Sequence, residues 1–141
     1  MAGSSLDPVH RIAAESDAVR RFVAILRREE QALIDGDIAA LEVVTPEKDA
    51  SRIELGSFDA DRPQDAAHAR GGALANAWRE LLDLAAEARE LNRTNGILLR
   101  QRLTGTERAL TVLNGAMRGG ATYGPNGLPS PAQPGRSFLI G

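Results

Sequence analysis

The chain has 141 residues, of which 43% are hydrophobic and 4% aromatic, with 17 basic and 19 acidic side chains and no cysteine. This length fits one domain, and an apolar fraction made mostly of Ala and Leu favours slim helical packing, so we expect an all-α fold. The charges sum to −2 and are interspersed along the chain, so the sequence does not predict the basic surface of a nucleic-acid-binding protein. The absence of cysteine excludes disulfides and thiolate metal sites.

The first predicted helix covers about residues 8–35. Asp7 can cap its free N–H groups, and Pro8 suits the first helical position, where no N–H is needed. Gly36 supplies the left-handed conformation that closes a helix, and Asp37 is placed to cap the next one, so we expect a tight helical hairpin. The predicted core stripe of this helix is Val9, Ile12, Ser16, Val19, Val23, Leu26, Glu30 and Leu33, widened by Phe22 and Ile34.

The second predicted helix covers about residues 37–58 and is interrupted in its pattern by Pro46. Proline removes a backbone donor and disfavours the helical conformation of Thr45, so we expect a kink, or a restart with Thr45 as the new cap. Its apolar face is predicted to contain Ile38, Leu41, Val44, Ile53, Leu55 and Phe58.

Residues 59–72 have no apolar anchor and contain Pro63 and the pair Gly71-Gly72, so we expect them to connect helices rather than pack. A short helical turn from Pro63 to Arg70 is compatible with this pattern.

The third predicted helix, at about residues 73–117, has the longest apolar pattern of the chain. At a rise of ~1.5 Å per residue it would span roughly 65 Å, against roughly 40 Å and 33 Å for the first two helices. If consecutive helices run antiparallel, it reaches the Gly36 turn near Asn95 and about half of it projects beyond. Its stripe is Leu74, Trp78, Leu81, Ala85, Ala88, Leu99, Ala109 or Leu110, and Leu113, flanked by Leu82, Leu84, Leu91, Leu98 and Leu103. Residues 1–117 are thus predicted to form an elongated antiparallel three-helix bundle or coiled coil with an overhanging third helix.

The projecting half is the candidate binding site. We expect the stripe to serve the bundle's own core up to about Ala88 and to lack an internal partner from Asn92 onward, with Gly96 near the change. Asn92 and Asn95 lie on the stripe, where they either line the rim of the bundle or hydrogen-bond a partner helix, as a buried Asn that fixes helix register does.

The final segment, residues 118–141, is rich in Pro and Gly and is predicted to be a flexible tail. Tyr123, followed by Gly124 and Pro125, suits a turn that presents one aromatic side chain; it either anchors a partner or folds back on its own helix. The apolar run Phe138-Leu139-Ile140 is either a second adhesive patch or a clip onto the bundle.

No catalytic, metal or cofactor site is predicted. His10 and His68 are the only histidines, and neither has a suitably spaced carboxylate, so we expect both at the surface of a protein that is not an enzyme. The N-terminal residues lack an apolar signal-peptide core, and no stretch reaches the ~18 apolar residues of a membrane span. We therefore expect a cytoplasmic protein without stable membrane insertion.

The order of these features resembles the flagellar export chaperones of the FlgN family. The features are an acidic Leu-rich first helix, the turn in LIDGDIAAL, the lysine of EKD, and the motifs WREL, NRTNG and YGPNG. The most specific combination is Asn92-x-x-Asn95-Gly96 followed by Tyr123-Gly124-Pro125. The terminal PSPAQPGRSFLIG has no counterpart in the pattern, and its role stays open.

The resemblance implies a cytoplasmic chaperone that binds the helical C-terminal segment of the hook-filament junction proteins, hook-associated proteins one and three. It also implies delivery of these clients to the flagellar type III export gate and its ATPase complex. The client site would then comprise Asn92, Asn95, Leu98, Leu99, Leu103, Leu110 and Leu113, and gate docking would fall to Tyr123, Gly124 and Pro125. The alternative is a structural or adaptor coiled coil, in which self-association pairs the overhang with that of a second copy.

Overall fold

The computed structural model describes residues 7–118 of the chain, most of which are helical. In chain order the helices are α1 (Pro8–Asp35), α2 (Ile38–Gly56), α3 (Arg62–His68) and α4 (Gly72–Met117). No strand occurs among these residues, so the all-α prediction is confirmed.

Helix α1 lies at the centre of the bundle. It contacts each of the other three helices, and no other pair of them packs extensively. The core is therefore formed mainly along α1, with α2 and α4 on two of its sides. The buried core side chains are Ile12, Val19, Phe22, Val23 and Leu26 from α1 with Leu81 and Ala88 from α4.

The structure confirms the predicted cap at the start of α1 and the predicted hairpin between α1 and α2. The carboxylate of Asp7 accepts a hydrogen bond from the backbone N–H of His10 at 3.0 Å, and this bond lowers the pKa of Asp7. Gly36 adopts φ 68° and donates its N–H to the carbonyl of Ala32. Asp37 then accepts a hydrogen bond from the N–H of Ala40 at 3.0 Å and caps α2.

The predicted core stripe of α1 is wrong at its two ends and near Glu30. Val9 and Ile34 are 56% and 53% exposed, although Ile12 and Leu33 close to them are buried, so these two side chains lie on the uncovered side of α1. Glu29 is buried, whereas Glu30 is only half-buried. Since α1 is covered from two sides, its buried arc is wider than a single heptad seam.

Helix α2 runs without a break past Pro46, so the predicted restart is wrong. Thr45 lies inside the helix, and its hydroxyl donates to the carbonyl of Leu41 at 2.8 Å instead of capping a new helix. Pro46 is exposed, so its ring is accommodated on the solvent side. Only a narrow strip of α2 is buried, and the predicted apolar positions Ile38 and Ile53 are 65% and 77% exposed.

The segment expected only to connect forms the short helix α3 and docks on α1, which corrects the prediction. Its anchors are charged rather than apolar. The Nε atom of Arg11 donates to the buried carboxylate of Asp65 at 3.0 Å. The Nε atom of Arg62 donates to the buried carboxylate of Glu15 at 2.8 Å.

Helix α4 runs parallel to α1, as an up-down-up arrangement requires. The ion pairs Arg20–Glu80 and Arg27–Glu87 advance together along both helices. The end of α1 is reached at Arg102, whose Nε atom donates to the carbonyl of Leu33 at 2.7 Å.

The sequence predicted that α4 reaches the Gly36 turn near Asn95, but Arg102 lies at that turn. The predicted position of α4 along α1 is therefore wrong by about two helical turns. The cause lies at the other end of the bundle. The ion pair of Glu54 with Arg21 places the end of α2 well inside the length of α1. Helix α3 then extends the bundle beyond that end. As a result, α4 starts nearer the N-terminus of α1 than a direct connection from α2 would allow.

Candidate partner-binding site

Beyond Arg102, α4 projects from the bundle as an uncovered helix. Every residue from 103 to 117 is exposed except Gly115, which is half-buried. At ~1.5 Å per residue this projection, here called the overhang (residues 103–117), is roughly 22 Å long. It is shorter than the predicted half of the helix, because the bundle covers α4 as far as Arg102.

One side of the overhang is apolar. With 3.6 residues per turn, four large apolar side chains fall within an arc of about 80°. The same arc contains the packed residues Leu81, Ala88 and Asn92, so the face that contacts α1 continues without a partner. These four residues, here called the overhang face, are Leu103, Leu110, Leu113 and Met117, which are 49%, 53%, 52% and 75% exposed.

Three other apolar residues lie at the base of the overhang or on its opposite side. Leu98 and Leu99 are half-buried at the base of the overhang. Leu99 lies on the same arc as the overhang face, whereas Leu98 lies on the flank of α4. Val112 is 71% exposed on the opposite side of the helix.

Below the overhang, a buried polar network joins three helices. The ammonium of Lys48 in α2 lies 2.9 Å from Oε1 of Glu29 in α1. The amide nitrogen of Asn95 in α4 donates to the same oxygen at 2.9 Å and to the carbonyl of Leu26 at 2.8 Å. Glu29, Lys48 and Asn95 are 6%, 4% and 1% exposed. The network fixes the register of α4 on α1, because any slip would leave a buried charge or amide unpaired.

The two asparagines of the predicted site are thus inside the bundle. Asn95 bonds α1 within its own chain, and Asn92 is 6% exposed. The Oδ1 atom of Asn92 has no hydrogen-bond partner among residues 7–118. The packed part of α4 extends past Asn92 and past the buried Gly96, so the expected change of role at Gly96 is wrong.

Sequence reasoning missed Glu29, because a search for apolar periodicity passes over a buried carboxylate. A signal was present in the form of Lys48, the only lysine of the chain, which lies one helical turn after the apolar residue Val44 in α2. A lysine facing the partner helix calls for a buried acid, and Glu29 follows the core residue Leu26 by three positions.

A second surface is the groove between α2 and α4. Helix α1 forms the floor of this groove. Because α2 and α4 scarcely touch, a cavity of about 640 Å³ lies between them. Its apolar lining comes from all three helices and includes Val19, Phe22, Leu55, Trp78, Leu82 and Ala85. Its charged lining consists of Glu15, Arg62, Arg89, Arg93 and Arg100, and Asn92 and Gly96 complete its upper part. The sequence analysis did not predict this groove.

The residues predicted to dock to an export gate, Tyr123, Gly124 and Pro125, lie outside the described residues, as do Phe138, Leu139 and Ile140. Within residues 7–118, no helix is both long and apolar enough to cross a membrane. That part of the chain also contains no cluster of three His, Asp or Glu side chains that could hold a metal ion. His10 and His68 are both exposed, as predicted.

Residues 5–131 match the family described as FlgN protein. The chain is 33% identical over 125 residues to the flagella synthesis protein FlgN of Yersinia enterocolitica, which covers 82% of this chain and 84% of that protein. It is also 33% identical over 129 residues to the flagella synthesis protein FlgN of Proteus mirabilis, with 85% and 84% covered. No solved structure matches the chain.

Proposed function

The chain belongs to the FlgN family, and we propose from this membership that it is a cytoplasmic chaperone of flagellum assembly. Its clients are the hook-associated proteins one and three, of which it binds the C-terminal helical segment. It then delivers them to the flagellar type III export gate and ATPase complex. Client binding is assigned to α4, and gate docking to Tyr123 with Gly124 and Pro125.

The observation that supports client binding most directly is the overhang face. An apolar face on a projecting helix matches the apolar side of an amphipathic partner helix, which is a recurrent mode of peptide recognition. Leu103, Leu110 and Leu113 are the proposed central contacts, with Leu99 and Leu98 at the base. Asn95 contributes from inside the bundle by holding α4 in register, and Asn92 lines the neighbouring groove.

The overhang face alone is small. Its four side chains are between 49% and 75% exposed, so covering them gains roughly 1–1.5 kcal/mol each, or about 5 kcal/mol in all. Association costs at least ~4 kcal/mol in lost freedom of motion. The overhang therefore supports a weak contact, and a stable complex requires further surface on this protein.

The proposal is tested by mixing the full-length protein with a C-terminal fragment of a hook-associated protein. Size-exclusion chromatography with light scattering is expected to show a complex, and independent elution of the two proteins contradicts the proposal. The double variant Leu103→Asp/Leu110→Asp is expected to weaken binding at least ~10-fold. Val112→Asp is the control, because Val112 is also apolar and is 71% exposed on the overhang, but it faces away from the overhang face.

Gate docking is tested separately from client binding. Tyr123→Ala is expected to leave the client complex intact and to impair binding to the export gate. Loss of the client complex in this variant contradicts the proposed division of roles.

Self-association through the overhang is the alternative function of the same face. Sedimentation equilibrium of the protein alone separates the two. A monomer at micromolar concentration is expected, and a tight dimer that Leu110→Asp dissociates assigns the face to a second copy instead.

A further inference from the structure

We propose that the groove between α2 and α4 binds an amphipathic helix whose apolar face is flanked by carboxylates. The helix belongs to the client, and in this respect the inference rests on the proposed function. The groove adds the further surface that the overhang face lacks.

The dimensions of the groove fit a helix. Its lining on α4 extends from Trp78 to Arg100, roughly 33 Å along the helix axis, or about six turns. Helix α4 forms its long wall and α1 its floor, and Leu55 of α2 and Arg62 of α3 add one residue each, so an added helix would pack along α4 and against α1. A helical occupant satisfies its own backbone hydrogen bonds, whereas an extended segment would find no sheet edge here to pair with. The upper end of the groove lies next to the base of the overhang, so one long helix could contact both.

The charges of the groove select for an acidic partner. Four arginines and one glutamate line it, in a chain whose net charge is −2. The glutamate, Glu15, is already hydrogen-bonded to Arg62. Arg89 and Arg100 are exposed and have no ion-pair partner among residues 7–118. Arg93 is paired with Glu90, so the unpaired positive charge of the groove lies on α4. Carboxylates along the side of the bound helix that faces α4 would neutralise this charge.

Asn92 adds a specific polar requirement. Its side chain lines the groove, is 94% buried from solvent (6% exposed), and leaves Oδ1 without a hydrogen-bond donor in the described residues. A buried acceptor without a partner is costly, and a donor from an occupant removes this cost. We therefore expect one hydroxyl or amide side chain on the apolar face of the bound helix.

The same charges argue against occupants from this protein. Residues 119–141 contain Arg136 and no acidic residue, so their charge repeats that of the groove. The overhang of a second copy carries only Glu107 and Arg108, so it is neutral and offers no excess of acidic groups to the groove. An external acidic helix is the occupant that these charges favour.

Trp78 provides a direct readout, because it lines the groove and is the only tryptophan of the chain. The probe is a designed 20-residue amphipathic helix without tryptophan, with a leucine face flanked by glutamates; its counterpart carries lysines instead. Binding of the glutamate peptide to the full-length protein is expected to shift Trp78 emission to shorter wavelength. The lysine peptide is expected to bind at least ~10-fold more weakly. Equal binding of the two peptides, or binding without a change in Trp78 emission, overturns the proposal.

Charge reversal tests the arginines themselves. Arg89→Glu/Arg100→Glu is expected to weaken binding of the glutamate peptide about 10-fold or more, since each exposed contact is replaced by repulsion. Arg79→Glu is the matched control, because Arg79 is exposed on the same helix but does not line the groove. Equal effects of the double variant and the control contradict the assignment. If Phe138→Ser/Leu139→Ser raises peptide affinity several-fold, the chain's own terminal segment occupies the groove and the proposal is wrong.

The client fragment separates this inference from the proposed function. Trp78 is about 25 residues, or roughly 38 Å of helix, from the start of the overhang, so a client bound to the overhang alone leaves its emission unchanged. A bound fragment that shifts Trp78 emission supports both statements. A bound fragment without that shift overturns the groove assignment and leaves the proposed function standing. A fragment that does not bind contradicts the proposed function and removes the client as the occupant.

Discussion

The substitution Lys48→Met tests whether the buried network holds the three helices together. Lys48 is 4% exposed, and its ammonium lies 2.9 Å from Oε1 of Glu29. Methionine preserves most of the side-chain volume but removes the charge. The buried carboxylate of Glu29 then retains only the amide of Asn95 as a side-chain donor.

The expected cost is large for one side chain. Removing one partner of a buried ion pair typically costs about 3–5 kcal/mol, because the other charge is left uncompensated in a desolvated site. We expect about 3 kcal/mol, since the Asn95 amide still stabilises the carboxylate. This is a substantial part of the ~5–15 kcal/mol that stabilises a typical domain.

The loss is measured by urea denaturation followed by circular dichroism at 222 nm. With a slope of roughly 2 kcal/mol per molar urea, the midpoint should fall by about 1.5 M. Arg27→Met is the control, because it breaks the ion pair of Arg27 with Glu87, in which both side chains are well exposed. That pair should contribute no more than ~1 kcal/mol, so the midpoint should move by less than about 0.5 M.

A double variant provides the decisive comparison. In Glu29→Leu/Lys48→Met both charges are replaced by apolar groups, so most of the lost stability should return. If Lys48→Met is no more destabilising than Arg27→Met, the network is not desolvated as described. If the double variant is as unstable as the sum of its single changes, the ion pair is not the cause of the loss.

Three further predictions concern helix ends and interiors. Gly36→Ala places a Cβ on a residue at φ +68°, 3.2 Å from Nη1 of Arg102. This variant should lower the free energy of unfolding, measured in urea, by about 1–2 kcal/mol. Gly105→Ala is the control and should not lower it, because a Cβ at Gly105 meets nothing within 4 Å. Pro46→Ala restores a backbone donor inside α2 and should raise stability by about 1–3 kcal/mol; an unchanged urea midpoint would show that the helix already accommodates the proline. Asp7→Ala removes the cap of α1 and should lower Tm at pH 7, while Asp7→Asn should not. Because the backbone N–H of His10 lowers the pKa of Asp7, the charged carboxylate stabilises the fold above its ordinary titration range and loses this contribution as the pH falls through its folded pKa. The Tm difference between Asp7→Ala and the native chain should therefore shrink in strong acid, and an undiminished difference there would contradict the role of the charge in the cap.

The sequence predicts the helical class and the hairpin because these features depend on local chemistry. Asp7, Gly36 and Asp37 each act within three or four residues of their own position, so their roles are visible in the chain itself. The long helix α4 is likewise predicted by its apolar period.

Features that depend on the arrangement of distant helices were not predictable in the same way. The docking of α3 relies on Asp65 with Arg11, residues that look like surface charges until the helices come together. This docking sets where α4 starts, and so moves the beginning of the overhang from Asn95 to beyond Arg102. The groove requires that α2 leave one side of α1 uncovered, and no local pattern specifies that.

Amide hydrogen exchange of the full-length protein tests most directly whether α4 receives the client helix. Exchange is measured with and without a C-terminal fragment of a hook-associated protein, after complex formation is verified by light scattering. We predict strong protection of residues 103–117 in the complex, because an exposed helix exchanges readily and a partner helix suppresses its opening. A complex that forms while exchange in residues 103–117 stays unchanged would contradict this account.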